Sequence, residues 1–149
     1  MLKGLDPLLN ADLLHVLRAM GHGDDLIIAD ANFPATTMGR RLVRLDGVAA
    51  PRALEAVLSV MPLDDFVDEP CGRIEVVGDP DAEPEVCVEF ERIIREKGGQ
   101  RADGGRFGLV RIERFAFYAR AREAFAVVQT GETRLYGCVL LKMGVVRPA

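Results

Sequence analysis

Leu26-Ile27-Ile28-Ala29 is an unbroken apolar run fenced by Asp24-Asp25 on one side and Asp30 on the other. It is too short for a helix, and it does not alternate. That is the pattern of a strand buried on both faces, as in sheets covered by helices on each side. The remainder of the 149-residue chain must therefore supply the covers.

Helical and strand patterns do alternate along it. A first helix is predicted over 11–20: Asn10 is its N-cap, Asp12 lies in the first turn and Gly21 is the stop. Leu13, Leu14, Val16, Leu17 and Met20 form its apolar face. Asn32-Phe33-Pro34 breaks the strand that follows. A second strand is predicted over 41–45 and a second helix over 51–61, opened by Pro51 and ended by Pro62. Residues 74–77 read as a strand and 83–97 as an acidic helix with Val86, Phe90, Ile93 and Ile94 inward. The glycine-rich segment 98–108 reads as an exposed loop. Residues 109–113 read as a strand and 115–123 as a short helix or turn. Residues 125–129 and 136–141 read as two antiparallel strands around Gly131-Glu132. The order is α/β, a mixed sheet covered by helices in one domain over 1–149.

Composition narrows the function. A net charge of −4 argues against nucleic acid or an anionic membrane as the main partner. No apolar run approaches the ~18 residues of a membrane span, and the start, with its early Asp6-Pro7, is not that of a signal peptide. Three cysteines, an odd number without a CxxC pair, argue against a disulfide framework or zinc knuckle, so a reducing cytoplasm is expected. With only two histidines, no metal site is expected either. No GxGxxG, GxxxxGK[ST] or GxSxG occurs.

Three stretches carry chemistry. In Gly21-His22-Gly23-Asp24, two glycines let the backbone turn sharply beside a side chain that titrates near neutral pH. Asp30 follows at the carboxyl end of the next strand, where α/β sheets bind ligands. A carboxylate there suits either orienting an imidazole or bonding a hydroxyl. The plainer alternative is that His22 caps the first helix and Asp30 a turn with Asn32. In the second stretch, Arg111, Arg114 and Tyr118 lie close together, and Arg114 and Tyr118 share a face if helical. Guanidinium and phenol together can bond several hydroxyls, or simply form a solvated surface. In the third, Tyr136 and Cys138 share a face if Tyr136-Gly137-Cys138 is a strand. Cys138 has no base beside it in sequence and reads as a buried thiol. His15 reads as solvent-facing, and Arg40, Arg41 and Arg44 as a solvated edge strand.

Taken together, these stretches resemble the RbsD/FucU sugar mutarotases, the family of L-fucose mutarotases and D-ribose pyranases. The likeness runs from Met1-Leu2-Lys3-Gly4 through Met20-Gly21-His22-Gly23-Asp24 and Asp30-Ala31-Asn32-Phe33-Pro34-Ala35. It continues in Arg114-Phe115-Ala116-Phe117-Tyr118, Ala124-Phe125-Ala126, Thr130-Gly131-Glu132, Tyr136-Gly137 and Leu141-Lys142, nearer the fucose branch. The resemblance implies a three-layer α/β sandwich, ring-shaped homo-oligomers, commonly decamers, with sites near subunit boundaries, and no cofactor. It implies His22 as proton donor, Asp30 as sugar-binding carboxylate, Arg114 as a substrate-binding arginine and Tyr136 as the tyrosine of a Tyr-x-Asn motif. Cys138 stands where that motif has Asn, and 98–108 looks longer than usual.

Mutarotation requires one proton delivered to the ring oxygen and one removed from the anomeric hydroxyl, which is general acid–base work. His22 is the expected acid–base group, with Asp30 orienting it or holding a hydroxyl. Tyr136 is a second proton relay, and Arg114, Tyr118 and Cys138 are further sugar contacts. The alternatives are a D-ribose pyranase and a non-catalytic sugar-binding protein of a transport operon.

Overall fold

A computed structural model describes residues 1–149. The sequence forms β1 (Asp25–Ala29), β2 (Leu42–Leu45), β3 (Cys71–Ile74), β4 (Val110–Ile112), β5 (Ala126–Thr130) and β6 (Val139–Lys142). They make one sheet in the order β2-β5-β1-β6-β3-β4. β2 and β1 run parallel to β5, and β4 parallel to β3, whereas β6 is antiparallel to both its neighbours. Five strands therefore point one way and β6 alone runs back. The sheet has a carboxyl edge, where β1 to β5 end and β6 begins, and an opposite amino edge.

The helices are α1 (Ala11–Ala19), α2 (Ala35–Met38), α3 (Ala50–Leu58), α4 (Glu85–Lys97) and α5 (Arg114–Glu123). Successive β1 residues face opposite layers, as strand geometry requires. Leu26 and Ile28 pack with Leu13, Val16, Leu54, Val57, Phe90 and Ile93 of α1, α3 and α4. Ile27 and Ala29 pack with Ala35, Phe117 and Ala121 of α2 and α5. The expected three-layer sandwich is what forms. The local reasons are those read from the sequence: Asn10 Oδ1 accepts the Leu13 N–H at 2.9 Å to cap α1, and Pro51 sits in the first turn of α3.

Two expectations change, and one helix is added. The third strand is Cys71–Ile74 rather than 74–77. Its apolar pattern was hidden by Arg73, which is buried and donates to the carbonyls of Ile74 and Ala82. β5 and β6 run in opposite directions but do not pair, because β1 lies between them. The connection from Thr130 crosses the end of β1 instead, with Thr130 Oγ1 donating to Ala29 O and the Ala31 N–H donating to Glu132 O, both at 2.8 Å. The short α2, four residues after Pro34, has no periodicity long enough to read.

Candidate active site

The carboxyl edge gathers most of the predicted site residues. Asp30 follows β1, Arg114 opens α5 after β4, and Tyr136 and Cys138 precede β6. With Tyr118 they line a cavity of about 210 Å³, whose apolar walls include Phe33, Ile74, Val77 and Leu135. Arg114 and Tyr118, one helical turn apart, do share a face.

Asp30 is 6% exposed and held from two directions. Its Oδ1 accepts the Asn32 N–H at 3.0 Å and its Oδ2 the Gly137 N–H at 3.2 Å. A Cβ on residue 137 would lie 3.1 Å from Asp30 Cβ and 2.7 Å from Glu132 Cγ, so only glycine lets this backbone come so close. Each carboxylate oxygen keeps further acceptor capacity for a ligand hydroxyl.

Arg114 has a buried Nε with no hydrogen-bond partner, and its guanidinium lies over the Phe115 ring at 4.6 Å. An orphaned buried donor is costly unless something completes it, which makes this arginine the most conspicuous ligand-seeking group in the molecule. Phe33 meets the Tyr118 ring edge-on, centroids 5.5 Å apart, and fixes that phenol in the wall.

Tyr136 is not on a strand. It has φ 64°, the only non-glycine residue in the left-handed region. Its hydroxyl accepts the Val77 N–H at 3.1 Å, which leaves its own proton free to donate. The strain is held by the preceding turn. Buried Glu132 binds Arg134 through both oxygens at 3.0 Å, and Arg134 reaches on to Glu89 at 2.9 Å. Those bonds hold the Glu132 carboxyl below its usual range and the Arg134 guanidinium above its own. Cys87 Sγ also donates to Tyr136 O at 3.5 Å.

Cys138 is 1% exposed and its Sγ accepts the Asp30 N–H at 3.4 Å. Burial, reinforced by the Asp30 charge, pushes this thiol well above its usual value. It is a neutral floor to the cavity and no nucleophile. Cys71 and Cys87 are also free and buried, and burial takes the Cys71 thiol up to about 12.

His22 is elsewhere. It precedes β1, whereas Asp30 follows it, and a five-residue strand spans roughly 16 Å. Asp30 therefore does not orient the imidazole of its own chain, as the sequence had suggested it could. His22 Nε2 lies 3.1 Å from Oδ1 of Asp64, and its ring tilts against Phe66 with centroids 5.0 Å apart. Asp64 and Phe66 are the residues that sequence reasoning missed. They lie 42 and 44 positions along the chain, and no spacing rule links them to His22. Arg111 also leaves the site, since it pairs on the surface with Asp81 at 3.3 Å and Glu83 at 3.0 Å. A roomier cavity of about 350 Å³ lies there, lined by Arg73, Arg111, Glu83 and Glu91. Its Arg111 is already matched by carboxylates, and no residue with acid–base potential at neutral pH faces it. His15 is exposed, and Arg40 and Arg44 pair with Glu123 and Asp46 on the edge of the sheet, as expected.

Residues 3–146 match the model of the RbsD / FucU transport protein family. The chain belongs to the RbsD/FucU family. It is 45% identical to the fucose mutarotase of Homo sapiens over 97% of this chain and 94% of that protein. It is 37% identical to the L-fucose mutarotase of Actinobacillus pleuropneumoniae serotype 5b, with 97% of each covered. Its structure superposes on a Streptococcus pneumoniae fucose mutarotase solved in complex with L-fucose, with a TM-score of 0.86 and 38% identity, covering 98% of this chain and all of that one. The RbsD/FucU fold is thus matched along nearly its whole length. No helix of the structure is long and apolar enough to cross a membrane.

Proposed function

We propose that this protein is a sugar mutarotase that interconverts the α and β anomers of a monosaccharide, with L-fucose as the leading substrate. The observation that carries this reading is the convergence of a hydroxyl acceptor and a partnerless buried donor, Asp30 and Arg114, on one small cavity that also holds two phenols. A pyranose offers a ring of hydroxyls to such a set and an apolar face to walls such as Phe33 and Val77. The names of the relatives support the same activity.

In the reaction the bond between the anomeric carbon and the ring oxygen breaks, the ring oxygen gains a proton and the anomeric hydroxyl loses one. Rotation of the aldehyde and reclosure reverse both transfers. Asp30 and Arg114 hold hydroxyls. Tyr136, whose phenolic proton is uncommitted, is the nearest relay, and His22 is the acid–base group. His22 and Asp30 sit at opposite ends of β1, so they serve one sugar only if His22 comes from a second copy of the chain. A homo-oligomeric ring with sites near subunit boundaries, as the family resemblance implies, provides that arrangement. The chain acts in it as one domain over 1–149. Three free, buried thiols suit a reducing cytoplasm.

The test is anomer exchange followed by saturation-transfer NMR on L-fucose, with D-ribose, D-galactose and D-arabinose in parallel. Acceleration greatest for L-fucose is expected. Interconversion of ring size in D-ribose instead would make it a pyranase, and binding without acceleration of any sugar would make it a carrier. Mixing His22→Ala with Asp30→Asn subunits tests the shared site. Each variant is nearly inactive alone, while random assembly should restore about a quarter of the sites. No recovery would confine each site to one chain.

A further inference from the structure

The amino edge holds His22 in a more elaborate mounting than a turn histidine needs. Asp64 is 2% exposed; its Oδ1 accepts the Phe66 N–H at 3.0 Å and lies 3.1 Å from the His22 ring. The contact runs through Nε2. The imidazole itself is 44% exposed and its Nδ1 makes no bond within the chain. The turn that carries Asp64 is pinned from both sides. Asp65 receives Arg147 through two bonds of 3.0 Å, and Arg147 lies over the Phe66 ring at 5.2 Å. Arg101, from the glycine-rich segment 98–108, donates to Val67 O at 2.8 Å and reaches the carbonyls of Asp65 and Asp68. The Ala102 N–H donates to Asp65 Oδ2 at 2.9 Å.

We infer that Asp64 is the positioning residue of His22: it keeps hydrogen on Nε2 and so makes Nδ1 the atom that exchanges a proton with the sugar. The inference rests on the reading of His22 as the acid–base group. An ionised carboxylate accepts and cannot donate, so the neutral imidazole beside it carries its hydrogen on Nε2 and its lone pair on Nδ1. When Nδ1 takes the sugar proton, the imidazolium formed keeps its Nε2–H bond to Asp64, and the charge develops next to a fixed anion. When Nδ1 returns the proton, the same neutral form is regenerated. The Asp64 proton inventory never changes. A buried, doubly committed carboxylate on a pinned turn is suited to that duty because it cannot swing away as the ring charges. The long 98–108 segment thereby acquires a purpose: Arg101 and Ala102 stiffen the turn from which Asp64 acts.

Two measurements decide it. The first uses the intact wild-type protein with ¹⁵N-labelled histidine, His22 being distinguished from His15 through a His15→Gln variant. The Nε2–H tautomer is expected for neutral His22, and an Nδ1–H tautomer would overturn the proposal whatever any variant does. The second is Asp64→Asn. Loss of a carboxylate that orients the acid–base imidazole should lower kcat by about 10-fold or more, up to the roughly 10²–10⁴ that the imidazole itself contributes, with KM changed little because Asp30 and Arg114 are untouched. The tautomer should become mixed, which a loss of packing alone would not cause. An unchanged kcat in folded Asp64→Asn, where His22→Gln is impaired, would sink the positioning role. Full activity in His22→Gln would instead remove the acid–base reading of His22 while leaving the tautomer result standing.

Discussion

The two edges of the sheet are built on opposite plans. At the carboxyl edge, the groups facing the cavity are left incomplete: Arg114 Nε has no partner, and Tyr136 is held in a left-handed backbone with its proton free. At the amino edge almost everything is matched, His22 by Asp64, Asp65 by Arg147, and the turn carbonyls by Arg101. A binding surface must keep its hydrogen-bonding capacity for the ligand, and it bears the cost of orphaned groups when empty. A proton-transfer group must be aimed, so its supports are satisfied in advance. One strand, β1, joins the two plans and keeps them apart within a single chain.

The sharpest way to break this comparison is to remove the aimed group. His22→Ala should lower kcat by roughly 10²–10⁴, the usual worth of a positioned acid–base residue. Its Tm should hardly move, because the ring is 44% exposed. Turnover near wild type in a folded variant would turn the amino edge into mere architecture. Next comes Arg114→Leu. The loss of a charged hydrogen-bond donor costs about 1.5–3 kcal/mol, or roughly 10–150-fold in kcat/KM. The protein should be no less stable, and even slightly more so, since the variant deletes a buried donor that has no partner. A marked fall in Tm would mean that Arg114 holds the fold rather than the sugar.

A third change separates support from contact on the carboxyl edge. Glu132 is buried against Arg134 and does not line the cavity. Glu132→Gln should destabilise by about 1–3 kcal/mol, not more, because Arg134 keeps Glu89 and some access to water. The pH dependence has a definite sign. The folded-state carboxyl lies below its ordinary value, so its contribution is present above about pH 4.5 and is lost as pH falls through the folded value. Thermal unfolding followed between pH 6 and 3 should show wild type losing this advantage while Glu132→Gln does not. Parallel curves would assign the acid sensitivity elsewhere.

The contrast between the edges also explains what could be read in advance. Elements whose burial leaves a local trace were legible: the periodic α1 and α4 faces and the unbroken Leu26–Ala29 run all formed near their expected limits. Asp30 was legible as a candidate because a strand end marks it, and Arg114 because its four-residue spacing to Tyr118 puts both on one helical face; Tyr136 was singled out on a strand that does not form there. The pairing of β1 with both β5 and β6 was not legible, because register between distant segments leaves no local trace. The strand at Cys71–Ile74 was masked by Arg73, a charge whose donors are satisfied by backbone carbonyls and so can be buried. Asp64 was invisible for a simpler reason: a lone carboxylate in an Asp-Asp pair looks like a solvated loop until the fold brings a histidine to it.

The smallest expected effect concerns Cys138, on the floor of the carboxyl-edge cavity. The family resemblance implies an Asn two residues after Tyr136, where this chain has Cys138. Its sulfur already takes the Asp30 N–H at 3.4 Å and offers the cavity only a neutral, weakly bonding surface. In Cys138→Asn the amide oxygen can accept that same N–H and its NH₂ can point into the cavity, adding one neutral hydrogen bond to a sugar hydroxyl. Such a bond contributes about 0.5–1.5 kcal/mol, so kcat/KM for the preferred sugar should rise roughly 2–10-fold. The gain should be selective, because only a sugar with a hydroxyl at the matching position can receive it. Saturation-transfer rates for L-fucose, D-galactose and D-arabinose with Cys138→Asn would show which one that is. Equal changes for all three would point to altered packing around Asp30, and no change for any would leave residue 138 as part of the floor rather than of the recognition.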